Sequence, residues 1–202
     1  IADAAKLLKL RGESMQNAVP VGTGGMAALL GAELGVAKEI AVLASEKGVC
    51  DIANDNAPGQ VVLSGDLKTV EQSIEIAKAK GIRRAVLLPV SAPFHCSLMS
   101  KATEIMTEEL NKISFSNSSN KLISNVTAEI ILDVEDLKSL LIKQIENRVR
   151  WRESVINMIN NDIDHFIEIG PGKVLSGLIK RINRDVQINS INSQMDIENL
   201  KI

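Results

Sequence analysis

Between residues 25 and 88 the chain runs twice through one pattern, a short apolar run, an amphipathic stretch of helical period and another apolar run. Residues 25–30 (GMAALL) form the first apolar run. Residues 34–47 place Ala37, Ile40, Ala41 and Leu43 on one side of a helix that Gly48 closes. Residues 49–54 predict a second strand, and Asn56-Ala57-Pro58-Gly59 reads as the turn after it. Residues 60–64 (QVVLS) predict a third strand, stopped by Gly65. A helix follows over 66–80, with Asp66 as N-cap and Val70, Ile74 and Ala77 as its apolar stripe. Gly81 closes it, and residues 83–88 form a fourth strand. This order is the split β-α-β pattern of a ferredoxin-like unit, short and able to close its own core.

The flanks carry less regular signals. Residues 3–18 predict a helix with Asp3 as N-cap and Ala4, Leu7, Leu8 and Met15 near helical spacing, ended by Pro20 and Gly22. Residues 85–90 read as a buried strand, broken only by Pro89. It ends in the connector Ser91-Ala92-Pro93-Phe94, where the proline cannot continue a ladder, and His95 follows. Beyond it, helices are predicted over 98–113, 134–147, 151–160 and 173–182. Strands are predicted over 122–125, 164–169 and 186–191, with an Asn/Ser-rich loop at 116–120 and a sharp turn at Gly170-Pro171-Gly172. Strands so far apart need helical crossovers, so this part reads as half of a doubly wound parallel sheet whose first strands are missing. Residue 1 is Ile and runs straight into a helix, from which a fragment is expected.

Composition narrows the function classes. Aromatic residues make up only 2%, with no Tyr, so the core must rest on aliphatic side chains and Met. The scarcity also argues against a stacking platform for single-stranded nucleic acid. The net charge is −2, with acidic and basic residues interspersed, and there is no basic stripe for nucleic acid or membrane. No apolar run reaches the roughly 18 residues of a membrane span, and no signal peptide is expected. Cys50 and Cys96 make neither a disulfide framework nor a metal cluster, and both read as reduced thiols in a cytosolic protein.

His95 is the leading candidate for chemistry, as a general base at the lip between strand and helix. Cys96 is its neighbour in sequence, and adjacent side chains rarely aim at one another, so a buried thiol is the expectation there. His165, beside Asp164, reads as structural or solvent-facing. Arg11 can offer a two-pronged fork to a carboxylate, or lie solvated on its helix. Asn54 and Asn56 can hydrogen-bond a substrate or cap the turn before Pro58-Gly59. The Gly170-Pro171-Gly172-Lys173 turn precedes a helix whose amides can meet an anion, but it lacks the Walker spacing. Gly22-Thr23-Gly24-Gly25 precedes a strand, which excludes a Rossmann fingerprint.

Taken in order, several segments resemble malonyl-CoA:acyl-carrier-protein transacylases. Arg11-Gly12 with Met15-Gln16 and Ala18-Val19-Pro20 is similar to the family's arginine-bearing helix. Asn54-Asp55-Asn56-Ala57-Pro58-Gly59-Gln60-Val61-Val62 with Ser64-Gly65 resembles its NxNxPGQVVxxG segment. Pro89-Val90-Ser91-Ala92-Pro93-Phe94-His95 with Leu98-Met99 resembles its PVSxxxHxxLM, and Ile169-Gly170-Pro171-Gly172-Lys173-Val174-Leu175 its VGPGxVL. No single motif is specific, whereas the ordered set is.

The resemblance implies an α/β fold: a ferredoxin-like small subdomain inserted in an α/β-hydrolase-like, mainly parallel large subdomain. The boundaries would be 1–19 (large-subdomain helix), 20–89 (small subdomain) and 90–202 (the rest of the large subdomain, incomplete). It implies that His95 is the catalytic base and that the backbone carbonyl of Gln144 orients it. Arg11 would hold the malonyl carboxylate, and Asn54 and Asn56 would lie at the site mouth. It further implies two-step transfer through a malonyl-serine, with coenzyme A thioester as substrate and no cofactor or metal. Malonyl-CoA and acyl carrier protein would be the partners of a cytoplasmic monomer in fatty-acid synthesis. The family's GHSxG elbow and its GQGSQ-type segment do not occur in the 202 residues. The chain by itself is therefore expected not to transfer malonate. Two rival readings are an acyltransferase domain of a polyketide synthase and a non-catalytic module that holds acyl carrier protein.

Overall fold

The computed structural model describes residues 1–116 and 118–200. Asn117, in the expected 116–120 loop, and residues 201–202, at the end of the expected third segment, lie outside the described residues.

The repeated pattern folds into one four-stranded sheet with two helices. Strand β1 (Gly24–Leu30) leads to helix α2 (Leu34–Ala44), preceded in the chain by α1 (Ala2–Gln16). Strands β2 (Cys50–Ala57) and β3 (Gln60–Asp66) form a hairpin, α3 (Leu67–Ala79) follows, and β4 (Arg84–Leu87) completes the set. The order across the sheet is β2-β3-β1-β4, and every neighbouring pair is antiparallel. The two central strands read as continuous apolar runs because both their faces are covered. On one face Leu29, Val61 and Leu63 pack against Ile40, Ala37 and Ala77 of α2 and α3. On the other, Met26, Ala28, Ala53 and Val62 meet Leu88 and Phe94. Cutting a side chain such as Leu29 back to Ala costs about 2–5 kcal/mol.

Several expectations are corrected. Strand β4 is not buried. It is a short edge strand in which only Ala85 is covered, while Val86 and Leu87 lie 40% and 45% exposed. Strand β2 runs on through Asn54 and Asn56, so these are strand residues, and the turn is Pro58-Gly59 alone. Gly65 does not stop β3. It passes so close to β2 that a Cβ there would lie 1.9 Å from the carbonyl oxygen of Val49. Asp66 sits at the N-cap position of α3, yet its carboxylate accepts the Val49 amide instead, at 2.7 Å. Asp3 is not the N-cap of α1. It lies in the first turn, near the positive end of the helix dipole, and Leu8 faces outward.

The remainder packs around α1. After a 3-10 turn at Ser97–Met99, α4 (Ser100–Asn111) lies against α1. Met15 and Ala18 meet Met99, Ala102, Met106, Leu110 and Ile145 there, with Phe94 reaching this core and that of the sheet. Helices α5 (Val134–Lys143) and α6 (Trp151–Asn160) follow. Strands β5 (His165–Ile169) and β6 (Gln187–Ile191) pair in parallel across α7 (Val174–Ile182), and α8 (Gln194–Glu198), unmarked in the sequence pattern, ends the described chain. The strand expected over 122–125 is only a bridge between Ile123 and Ile130. No helix among the described residues is long and apolar enough to cross a membrane.

Candidate active site

The loop after β4 is built to present one side chain. The Leu88 amide donates to the Met26 carbonyl at 2.8 Å, and that of Val90 to Leu88 at 2.8 Å, so the chain leaves the sheet as a tight coil. Pro93 is buried against the start of β1, where Gly24 lacks the Cβ that would lie 2.3 Å from its ring. The Cys96 thiol donates back to the Pro93 carbonyl at 3.1 Å. His95, between these anchors, has φ of 59°, in the left-handed region that costs an L-residue about 1 kcal/mol or more.

The His95 ring is half-buried, and its Nδ1 lies 2.9 Å from the carbonyl oxygen of Gln144, just past α5. A carbonyl only accepts, so Nδ1 carries the hydrogen and Nε2 keeps the lone pair of a base. Burial pushes the His95 pKa below its ordinary value. The bond to Gln144 works against this, and the charge of Arg11 adds to it.

Arg11, on α1, is half-buried, and burial lowers its pKa, although a guanidinium stays charged at neutral pH. Among the described residues none of the ion pairs includes it. Asn54 and Asn56 present amides from β2. These four residues line one cleft of about 510 Å³, floored by Met26, Val62, Leu88 and Phe94. The sequence-derived candidates therefore converge on one place, and Gln144 stands behind His95. No residue lining this cleft among those described carries a hydroxyl or a thiol. The arrangement can hold an anionic group at Arg11 and take a proton at His95 Nε2.

Other candidates fall away from it. Cys96 and Cys50 are buried thiols pushed up by burial to about 11 and about 12, far too weakly acidic to be nucleophiles near neutral pH. His165 hydrogen-bonds Asn189 Oδ1 at 2.7 Å, a structural contact. The amides at the start of α7 meet an anion supplied by the chain itself. Glu168 accepts from Leu175 and Ser176 at 3.0 and 2.8 Å, so these two amides are already taken. A second cavity, about 460 Å³, is mainly apolar, with Met158, Phe166 and Ile179 beside Lys121, Asn125 and Ser154, and its lining includes none of Arg11, Asn54, Asn56 and His95.

Two features escaped sequence reasoning. Gln16, at the end of α1, exchanges hydrogen bonds with Ser91, its Nε2 donating to the Ser91 carbonyl at 3.2 Å while the Ser91 hydroxyl donates to its Oε1. This joins the Arg11 helix to the His95 loop. The connector 144–150 also reaches the sheet, where Asp55 donates its amide to Val149 at 2.9 Å and Val149 donates to Ala53 at 2.8 Å. Neither has a local signature, because both pair residues distant in sequence.

No family model matches the chain. It is 42% identical over 197 residues to the malonyl CoA-acyl carrier protein transacylase of Bacillus subtilis, covering 97% of this chain and 62% of that protein. The acyl-carrier-protein-S-malonyltransferase of Bartonella henselae superposes with a TM-score of 0.94 at 45% identity, covering 98% of this chain and 63% of that one. A malonyl-transacylase in complex with its type II PKS acyl-carrier protein superposes at 0.92 with 34% identity, over 96% of this chain and 63% of that one. The chain thus spans a little under two thirds of the length of the proteins it matches.

Proposed function

We propose that this chain, similar over nearly its whole length to malonyl CoA-acyl carrier protein transacylases, supplies the base and the carboxylate clamp of such an enzyme. The reaction is transfer of malonyl from coenzyme A to the pantetheine thiol of acyl carrier protein. One observation carries the reading: Arg11, Asn54, Asn56 and His95, far apart in sequence, line one cleft.

His95 Nε2 takes the proton of a serine hydroxyl as that oxygen attacks the malonyl thioester carbonyl. The proton then goes to the departing coenzyme A sulfur. In the second half, Nε2 takes the proton of the pantetheine thiol, which attacks the malonyl-serine ester, and the proton returns to the serine oxygen. Gln144 holds the imidazole in the competent tautomer. Arg11 receives the malonyl carboxylate, and Asn54 and Asn56 hydrogen-bond the bound acyl chain or thioester. No GxSxG occurs in the 202 residues, so the proposed serine belongs to chain outside them. No cofactor beyond the thioester is needed.

The fold supports a two-part description. Residues 20–89 form the ferredoxin-like subdomain, in keeping with the sheet order β2-β3-β1-β4. Residues 1–19 and 90–202 belong to an α/β-hydrolase-like large subdomain, of which β5 and β6 are the parallel part present. The free buried thiols fit a cytoplasmic setting, and a monomer completes the proposal.

The test is Arg11→Ala in the protein that carries this chain. Malonyl transfer should fall by about two to three orders of magnitude and acetyl transfer far less, because only the malonyl carboxylate loses a charged partner. An equal fall for both acyl groups removes Arg11 from the clamp. The alternative is a non-catalytic module that holds acyl carrier protein. Affinity for acyl carrier protein without any transfer by the whole protein would establish that alternative.

A further inference from the structure

Both walls of the cleft are held by one short connector, residues 144–150, with the first turn of α6. On one side Gln144 accepts from His95. On the other, Val149 lies alongside β2 as a parallel bridge beside Asn54. Two residues into α6, Arg152 reaches Asp55, the residue between the two cleft asparagines. Asp55 is fully buried, and its Oδ2 accepts from Arg152 Nε at 3.1 Å and Nη2 at 2.9 Å. Arg152 is held from its other side by Glu33, with Nη1 3.2 Å from Oε2. The second carboxylate oxygen, Oδ1, is buried without a hydrogen-bond partner among the described residues. A carboxylate so placed is tolerated only while its cation stays in place, because an uncompensated buried charge is far more costly than a lost surface pair.

Strand β2 is irregular where this happens. Its pairing with β3 shifts between Ile52 and Asn54 and again between Asp55 and Ala57. Each shift leaves one residue, Ala53 and then Asn56, without a partner, and such bulges interrupt the ladder and bend and twist the strand. Asn54 is in register with Val62, whereas Asn56 has no partner on β3, so that pairing alone does not fix the segment from Asn54 to Asn56. The missing constraint comes from the other edge of β2, through Val149 and Arg152.

We infer that Asp55 and Arg152 are positioning residues for the cleft. Their ion pair, with the Val149 bridge, fixes the bulged part of β2 so that Asn54 and Asn56 stand opposite Arg11 and His95. The inference deepens the transacylase reading and rests on it for its kinetic consequence, while its mechanical consequence stands without it.

The experiment uses the protein that carries this chain, with Asp55→Asn, Arg152→Gln and the double variant. The single variants should raise the KM for malonyl-CoA about tenfold with kcat per folded molecule little changed, and the double variant, with no charge left to bury but no ion pair to fix β2, should regain stability without regaining the parent KM. Hydrogen exchange should quicken in both single variants over residues 50–57 and 147–152 and stay unchanged over Gly24–Leu30. A fall in activity that follows only the folded fraction, with KM unmoved, would overturn the positioning role in favour of bulk stability. Unchanged exchange over 50–57 would overturn it even in a protein that transfers no malonate, and so separates its failure from that of the proposed function.

Discussion

The imidazole of His95 and the main-chain carbonyl of Gln144, 49 residues later, meet at 2.9 Å. Gln144 contributes this contact through its backbone, and its side chain is turned away to donate to the Asn147 carbonyl at 2.8 Å. Under the proposed function, two substitutions in the whole protein should therefore separate sharply. His95→Ala should lower transfer by about three to four orders of magnitude, as loss of a general base does. Gln144→Ala should leave the rate close to that of the parent, because the acceptor remains. A large loss in Gln144→Ala, with the fold intact by circular dichroism, would assign the side chain a role of its own.

The pH profile has a definite sign. Burial holds the His95 pKa below its ordinary value, so with His95 as the proposed base the acid limb of malonyl transfer should lie below about pH 6.5. Arg11→Ala removes a neighbouring charge that contributes to this lowering, and the acid limb should move to higher pH. For stability, the unfolded chain takes up the proton at higher pH than the folded one. The contribution of His95 is thus complete above about pH 6.5 and is lost as pH falls from there toward the folded pKa. Rate profiles of parent and variant check the first statement, and urea unfolding of parent and His95→Gln across the same range checks the second.

Gly24 and Pro93 make a steric test of the His95 loop. A Cβ at Gly24 would lie 2.3 Å from Pro93 Cγ and 2.5 Å from Cδ, and a proline ring cannot swing aside. Gly24→Ala should push residues 92–94 and carry His95 with them, costing transfer about tenfold or more, since displacements of this size misplace a base. Gly35→Ala, in the first turn of α2 with nothing within 4 Å of its Cβ, should leave transfer unchanged and raise stability by up to about 1 kcal/mol. Steady-state rates with thermal melting distinguish the two.

Glu168 ties β5 to the start of α7 by accepting two amides. Hydrogen bonds from Ser176, first through its side chain, hold this carboxylate below its ordinary pKa. Its contribution to stability is present above the unfolded carboxylate pKa and is lost as pH falls through the folded value. Glu168→Ala should cost about 1 kcal/mol, the usual worth of a lost cap, and should flatten the acid side of the stability profile. Equal stability of parent and variant at neutral pH would remove the cap from the account of α7.

The sequence by itself determined the elements and the candidate residues. Apolar runs at 25–30 and 60–64 became the central strands because both faces of each are covered, a property that composition records locally. The helices over 34–47 and 66–80 were legible from their stripes, and Arg11, Asn54, Asn56 and His95 from ordered motifs. Edge position was not legible. Residues 85–87 are as apolar as the core strands, yet β4 has a neighbour on one side only, which leaves Val86 and Leu87 partly exposed. Nor was the course of β2 legible, because Asn54 and Asn56 read as turn formers until Val149 and β3 claim the backbone around them. The resemblance had already named Gln144 as the partner of His95, whereas Arg152 for Asp55 and Glu168 for the α7 amides emerge only in the folded chain. A residue type states which hydrogen bonds and charges it can satisfy. Which group satisfies them is settled only when the chain closes, since a buried donor or charge takes whatever complementary group packing brings within about 3 Å.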